Sequence, residues 1–187
     1  MLIIGFTVVY ILLSSKQDQS IQEVTVNEKI LSSQNFSLDA ASSGLNTSAK
    51  GTVFVKETSK KLQTIQIVAL IEIDPKDWGG VAFYVPKDWM IAKIESSYTE
   101  NQTAISPDNY ASTWTNSDKN AYWHSWIEFG RDRRYETGQG GTGIVKIELV
   151  SNKKLNTFEL TVEAGSAVHG NVKKMGTDTI RVPIPLT

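Results

Sequence analysis

Apolar and polar side chains alternate with a period of two along most of the chain after residue 52. The clearest segment covers residues 62–73, where one face carries Ile65, Ile67, Ala69, Ile71 and Ile73. Successive side chains of an extended strand point to opposite faces, whereas a helix repeats its apolar face every 3.6 residues. The pattern therefore predicts β-strands, and no segment has the spacing of an amphipathic helix.

Eight segments carry this alternation: 52–56, 62–73, 81–85, 90–94, 122–129, 144–150, 157–163 and 179–184. Gly, Pro, Asn and Asp separate them at short intervals, which is typical of an antiparallel sandwich rather than of βαβ units. We therefore expect an all-β, two-sheet antiparallel β-sandwich of immunoglobulin-like type. The strand at 62–73 is apolar on both faces in its middle, so it should be central. The last strand contains Pro183 and Pro185 and should lie at an edge.

The first residues are apolar instead of alternating. Residues 2–13 read LIIGFTVVYILL without a charge, and as a helix they would span ~18 Å of a ~30 Å hydrocarbon core. We predict an N-terminal hydrophobic helix over 1–15, acting as a signal peptide or a membrane anchor. No small-x-small cleavage site is evident, which slightly favours the anchor. A flexible linker with a first strand at 22–26 should cover 16–50, and the sandwich 51–187.

The composition argues against several classes of function and of metal site. The net charge of -1 argues against nucleic-acid binding, which needs a strongly basic face. The absence of cysteine excludes disulfides, thiolate catalysis and cysteine zinc sites. The two histidines, His124 and His169, are far apart in sequence and cannot form a histidine-rich metal site.

The segments VALIEID, GGTGIVKIELV and TFELTVEAG combine a long central strand, a Gly-rich hairpin loop and a late alternating strand. In this they resemble bacterial surface immunoglobulin-like and cohesin-like sandwiches. The cohesin-like resemblance implies docking of another protein at a cell surface. It assigns no functional residue.

The Gly-rich segment Gly138-Gln-Gly-Gly-Thr-Gly143 matches GxGxxG. A dinucleotide site needs a helix after this motif, because the helix N-terminus binds the pyrophosphate. A strand is predicted to follow here, so the segment is interpreted as a hairpin loop.

Two PKDW turns, at 75–78 and 86–89, flank the predicted strand 81–85. Proline and aspartate both favour turns, and each Trp should pack at a strand end. If the turns met at one end of the sandwich, Asp74, Asp77 and Asp88 could supply oxygen ligands to calcium. The sequence lacks the DxDxDG spacing of a dedicated calcium loop.

The aromatic residues cluster between 110 and 126. A period of two places Trp123, Ser125, Ile127 and Phe129 toward the core and Tyr122, His124, Trp126 and Glu128 outward. Outward aromatic rings can stack on sugar rings while polar neighbours bind the hydroxyls. Alternatively, the preceding loop covers that face and the cluster forms a satellite core.

Residues 131–134 read RDRR and follow the aromatic strand. Such a run is usually a solvated turn, but arginines can also bind a carboxylate or an anionic polymer with two hydrogen bonds. An enzyme would need paired groups, such as the two carboxylates of a glycosidase, and the sequence contains no catalytic motif beyond chance pairs.

The sequence thus predicts a non-catalytic extracytoplasmic binding or adhesion module, anchored in a membrane through residues 2–13 or secreted. Its ligand would be a glycan or an envelope protein. The candidate binding residues are Trp114, Tyr122, His124, Trp126, Glu128 and Arg131. No cofactor is expected other than calcium. A structural or assembly domain is the first alternative, and a glycan-active enzyme is a distant one.

Overall fold

A computed structural model describes residues 29–57, 63–98, 111–131 and 140–186. This part of the chain forms ten strands and one 3-10 turn, η1, at Ala41–Ser43. The strands are β1 Ile30–Asp39, β2 Ser48–Glu57, β3 Gln63–Ile73, β4 Val81–Pro86, β5 Met90–Ser96, β6 Ala111–Thr115, β7 Trp123–Phe129, β8 Gly141–Ser151, β9 Thr157–His169 and β10 Val172–Pro185.

The strands form two five-stranded antiparallel sheets. Sheet 1 has the order β1-β2-β3-β8-β5, and sheet 2 has the order β10-β9-β4-β7-β6. The predicted all-β antiparallel sandwich is therefore confirmed. The central position of β3 and the edge position of the proline-containing β10 are confirmed as well.

The core lies between the inner faces of the two sheets. Val53, Ile67 and Ile147 contribute from sheet 1, and Phe83 and Leu160 from sheet 2. Rings cross the interface edge to face: the centroids of Phe36 and Phe83 are 6.5 Å apart, and those of Trp89 and Phe158 are 5.2 Å apart. Removal of this apolar area from water stabilises the sandwich, at ~25 cal/mol per Å² buried.

Two strands were not predicted. β1 occupies part of the segment that the sequence assigned to a linker, and β6 lies in a segment expected to be a loop. The sequence signal is weak because β1 buries only Phe36 and Leu38 deeply, and the rest of ILSSQNFSLD is polar or exposed. Edge strands need fewer apolar residues than central ones, and both strands lie at sheet edges.

The predicted Gly-rich hairpin loop is wrong. β7 belongs to sheet 2 and β8 to sheet 1, so the chain crosses between the sheets at this point and the two strands do not pair. The prediction that a strand follows the glycines is confirmed, since β8 begins at Gly141. Alternation identifies a strand but does not show which neighbour it pairs with.

The predicted N-terminal hydrophobic helix and the first strand at 22–26 lie outside the described residues. Within the described ranges, no helix has the length and apolar character required to span a bilayer.

Candidate functional site

The outer face of sheet 2 carries a row of aromatic residues in register. Tyr84 of β4 pairs with Trp126 of β7, which pairs with Trp114 of β6. The rings of Tyr84 and Trp126 are 6.4 Å apart at 25°, and those of Trp126 and Trp114 are 6.2 Å apart at 22°. Cross-strand aromatic pairs stabilise a sheet by up to ~1 kcal/mol each. The row is thus a continuous stack across three strands.

Trp123 joins this row, although alternation predicted it to face the core. Its ring lies 5.1 Å from Tyr84 and 4.8 Å from Trp126, in edge-to-face contact with both. The pairing of β4 and β7 shifts register between Val85 and Pro86, where Pro86 pairs with Trp123. A register shift breaks the alternation locally. The predicted inward positions of Ser125, Ile127 and Phe129 are confirmed by their burial.

Tyr122, the residue before β7, extends the cluster. We call Tyr84, Trp114, Tyr122, Trp123 and Trp126 the aromatic surface. All five rings lie outside the core between the sheets. Trp114 is 40% exposed and Tyr122 47% exposed, while the other three are half-buried. The two ends of the aromatic surface are therefore exposed to solvent, and the rings in its middle are packed against one another.

A charged network lies beside the aromatic surface, formed by Glu128, Arg131 and Glu163. The Arg131 guanidinium bridges the two carboxylates, with Nη1 3.3 Å from Glu128 Oε1 and Nη2 3.3 Å from Glu163 Oε2. Ala82 pairs with both Glu128 and Glu163 and lies between them on the sheet. Its small side chain leaves room above β4 for the guanidinium.

The charged network also holds two rings of the aromatic surface. Trp126 Nε1 donates to Glu128 Oε1 at 2.5 Å, and Tyr84 Oη donates to Glu163 Oε2 at 2.6 Å. Burial and the hydrogen bond to Glu163 raise the pKa of Tyr84, because both disfavour the phenolate. The hydrogen bonds fix the ring orientations, which is a form of preorganisation.

Glu128 and Arg131, both predicted to contact ligand, lie inside this network. Their side chains are only 3% and 6% exposed. A carboxylate and a guanidinium so enclosed are engaged with each other and with Trp126, so the geometry gives them a supporting position rather than a surface one. The residues 132–134 of the basic run lie outside the described part of the chain.

His124 and Arg181 lie at the Tyr122 end of the surface. His124 Nδ1 is 3.2 Å from the carbonyl of Pro86, and the ring is half-buried. The guanidinium carbon of Arg181 lies 4.9 Å from the centroid of the Tyr122 ring, a cation–π contact. Arg181 is exposed, and its strand β10 is the opposite edge of sheet 2 from β6.

The three calcium candidates do not converge. Asp74 and Asp77 lie before β4, whereas Asp88 follows it and pairs with Lys153. Asp77 is buried and accepts hydrogen bonds from Thr47, Gly79 and Ser166. Asp74 accepts from the backbone amides of Lys76 and Asn46, and these bonds lower its pKa. In the described ranges, no group of three or more His, Cys, Asp or Glu side chains is arranged to hold a metal.

The two PKDW segments are turns that flank β4, as predicted. Asp77 N donates to Asp74 O at 2.9 Å, and Trp89 N donates to Pro86 O at 3.0 Å. Trp78 and Trp89 are both buried. The repeat therefore has a structural role at each end of the strand.

The structure thus brings together the predicted Trp114, Tyr122 and Trp126 and adds Tyr84, Trp123 and Arg181, which the sequence did not indicate. Comparison with models of known families, with curated proteins and with solved structures found no significant match.

Proposed function

We propose that this chain is a non-catalytic, extracytoplasmic binding module of the cell surface that holds a glycan on the outer face of sheet 2. The observation that carries the proposal is the aromatic surface itself. Five rings gather on the face of a sheet that points away from the core, and none of them belongs to the cluster of buried side chains between the two sheets.

Ring stacking is the physical basis of the proposal. The C–H face of a sugar ring is apolar and packs on an aromatic ring, while its hydroxyls stay hydrogen-bonded to polar groups or water. Trp114 and Tyr122 offer exposed ring area at the two ends of the surface. The hydrogen bonds of Trp126 and Tyr84 reduce the ordering that binding would require.

The position of Glu128 favours binding over catalysis. A glycosidase acid or base must reach the scissile bond. Glu128 is enclosed between Trp126 and Arg131, where it supports the rings instead. We further propose an immunoglobulin-like assignment and display from a membrane, on the resemblance of the strand patterns to bacterial surface sandwiches and on the apolar residues 2–13.

Retention on polysaccharides tests the proposal, and Trp114→Ala is the informative variant. In affinity gels cast with single polysaccharides, including cellulose derivatives, soluble chitin, galactan and polygalacturonate, we expect at least one polymer to retard the wild type. Trp114→Ala should abolish most of that retardation and cost only ~1 kcal/mol of stability, about one aromatic pair.

Leu70→Ala is the matched control. Leu70 is an exposed apolar residue, 53% accessible, on the strand β3 of the other sheet. Its replacement should leave retardation unchanged. Equal retardation of wild type and Trp114→Ala on every polymer, or no retardation of the wild type by any, would contradict the proposal.

A further inference from the structure

The aromatic surface ends at a group of cations. Arg181 lies over Tyr122, Lys87 Nζ donates to the carbonyl of Lys119, and Lys87 N donates to the carbonyl of Tyr122 at 3.4 Å. Of these groups, the Arg181 guanidinium contacts the exposed Tyr122 ring directly, while the backbones of Lys87 and Lys119 pass nearby.

Within the described ranges, no carboxylate forms an ion pair with these cations. Across the described residues, the ion pairs of the structure involve Lys29, Lys50, Lys93, Arg131, Lys146 and Lys153, but not Arg181, Lys87 or Lys119. The nearby acids Asp118 and Glu159 form no ion pair with them: Asp118 Oδ1 instead accepts from the amide of Asn120. By contrast, Glu128 and Glu163, which lie beside the middle of the aromatic surface, both pair with Arg131. Arg181 is therefore an exposed cation beside the aromatic surface that, among the described residues, no carboxylate neutralises by direct contact.

Arg181 is also in register with the aromatic row. Arg181 pairs with Thr161, and Thr161 pairs with Tyr84, which continues to Trp126 and Trp114. Four strand spacings of ~4.8 Å place the ends of this row ~19 Å apart. An extended oligosaccharide could contact a stacking ring and the guanidinium at once.

From this arrangement we infer that the glycan is acidic: a polymer of uronic acids whose rings stack on the aromatic surface and whose carboxylate is bound by Arg181. The inference rests on the proposed glycan-binding function. A guanidinium binds a carboxylate through two parallel hydrogen bonds, and the cation–π contact with Tyr122 holds its plane in place. Arg181 thus takes the role that the sequence suggested for the arginines after β7.

Two polymers that differ only at C6 of each sugar test the inference: polygalacturonate, with a carboxylate there, and the galactan made from it by carboxyl reduction, with a neutral hydroxymethyl group. We expect the full chain to bind polygalacturonate at least ~10-fold more tightly in calorimetry, the factor given by one charge-assisted contact. Added NaCl should reduce this difference, because exposed charges are screened.

Arg181→Gln should remove the preference, so that the variant binds polygalacturonate and the reduced galactan with similar affinity. Arg181→Lys should recover only part of the preference, since an ammonium lacks the planar fork. Lys174→Gln is the control, because it deletes an exposed charge of the same strand at the far end of the β9–β10 pair.

The outcomes separate the two proposals. Equal binding of both polymers by the wild type, or equal losses in Arg181→Gln and Lys174→Gln, would overturn the acidic-glycan inference and leave the binding module standing. If the protein bound only a neutral polysaccharide, and Trp114→Ala weakened that binding, the acidic-glycan inference would also be wrong and the binding module would still stand. Failure of every polysaccharide to bind would overturn both.

Discussion

Two oxygens, Oε1 of Glu128 and Oε2 of Glu163, connect the aromatic surface with the charged network, and Glu163 Oε2 makes the connection to Tyr84. It accepts the hydrogen bond of Tyr84 Oη at 2.6 Å and lies 3.3 Å from Arg131 Nη2. Tyr84 in turn stacks on Trp126, whose indole nitrogen donates to Glu128. A change at any of these side chains should therefore alter the orientation of rings that lie two strands away.

The ionisation of Tyr84 gives the first prediction at this scale. Burial, followed by the hydrogen bond to Glu163, raises the pKa of Tyr84 above the usual ~10 of an unfolded tyrosine. Since the folded pKa is the higher one, the associated stability is complete below pH ~10 and is lost as the pH rises toward the folded pKa. The phenolate absorbance of wild type minus Tyr84→Phe should thus appear well above pH ~10 in the folded protein.

Unfolding in urea should move this difference signal down to pH ~10. A signal already centred there in the folded protein would contradict the enclosed position of Tyr84. At neutral pH, Tyr84→Phe should cost ~1 kcal/mol in urea unfolding, the usual value for one hydrogen bond.

At the scale of elements, a bulge shapes the β9–β10 pair. Ala164 pairs with Asp178 and Ser166 with Met175, so Gly165 faces the two residues Gly176 and Thr177. Gly165 has φ +82°, and an added Cβ would lie 2.6 Å from Thr177 Oγ1 and 2.7 Å from the Cβ of Ala40. The bulge brings β9 against the segment that leads into η1, where Ser42 donates to Asp178.

Gly165→Ala and Gly170→Ala form a matched pair in this element. Both glycines have positive φ, but a Cβ on Gly170 would meet nothing within 4 Å. Gly170→Ala should cost only the backbone strain of ~1–2 kcal/mol, whereas Gly165→Ala adds the clash and should exceed ~3 kcal/mol. Chemical denaturation of both variants measures the difference, and similar losses would contradict the close packing at the bulge.

The elements also show what sequence periodicity can reveal. Alternation identified β2, β3, β4, β5, β7, β8, β9 and β10, because each packs apolar side chains against the core from one face, although those of β5 are only half-buried. It missed the weakly apolar edge strands, and it misplaced Trp123 because the shift at Pro86 depends on pairing with another strand.

The same limit applies to the candidate site. Trp114, Tyr122 and Trp126 are close in sequence and were predicted together. Tyr84 and Arg181 come from strands that are remote in sequence, and only their register brings them into the row. Alternation predicts that both side chains point outward, but it does not predict which side chains of other strands lie beside them.

At the scale of the whole molecule, the two sheets are joined by a buried polar connection as well as by the core. Asp77 Oδ2 accepts from Thr47 Oγ1 at 2.6 Å, just before β2 of sheet 1. Its Oδ1 accepts from Ser166 Oγ at 2.5 Å, in β9 of sheet 2, and from Gly79 N at 2.7 Å. One carboxylate thus links an end of each sheet to the turn between β3 and β4.

Asp77→Ala should accordingly destabilise the whole sandwich. The substitution leaves the donors of Thr47, Ser166 and Gly79 buried without their acceptor, and hydrogen bonds to a charged group contribute ~1.5–3 kcal/mol each before non-additivity. We expect a loss of ~3–5 kcal/mol in urea unfolding, with circular dichroism and tryptophan fluorescence changing together.

Asp74→Ala is the control, because Asp74 lies in the same turn. The Asp74 carboxylate accepts two backbone hydrogen bonds near solvent, where water can replace it. Its loss should stay near ~1 kcal/mol. Equal losses in the two variants would contradict this role, because of the two aspartates compared Asp77 accepts hydrogen bonds from Thr47 and from Ser166 of β9, whereas Asp74 accepts from Asn46 and Lys76.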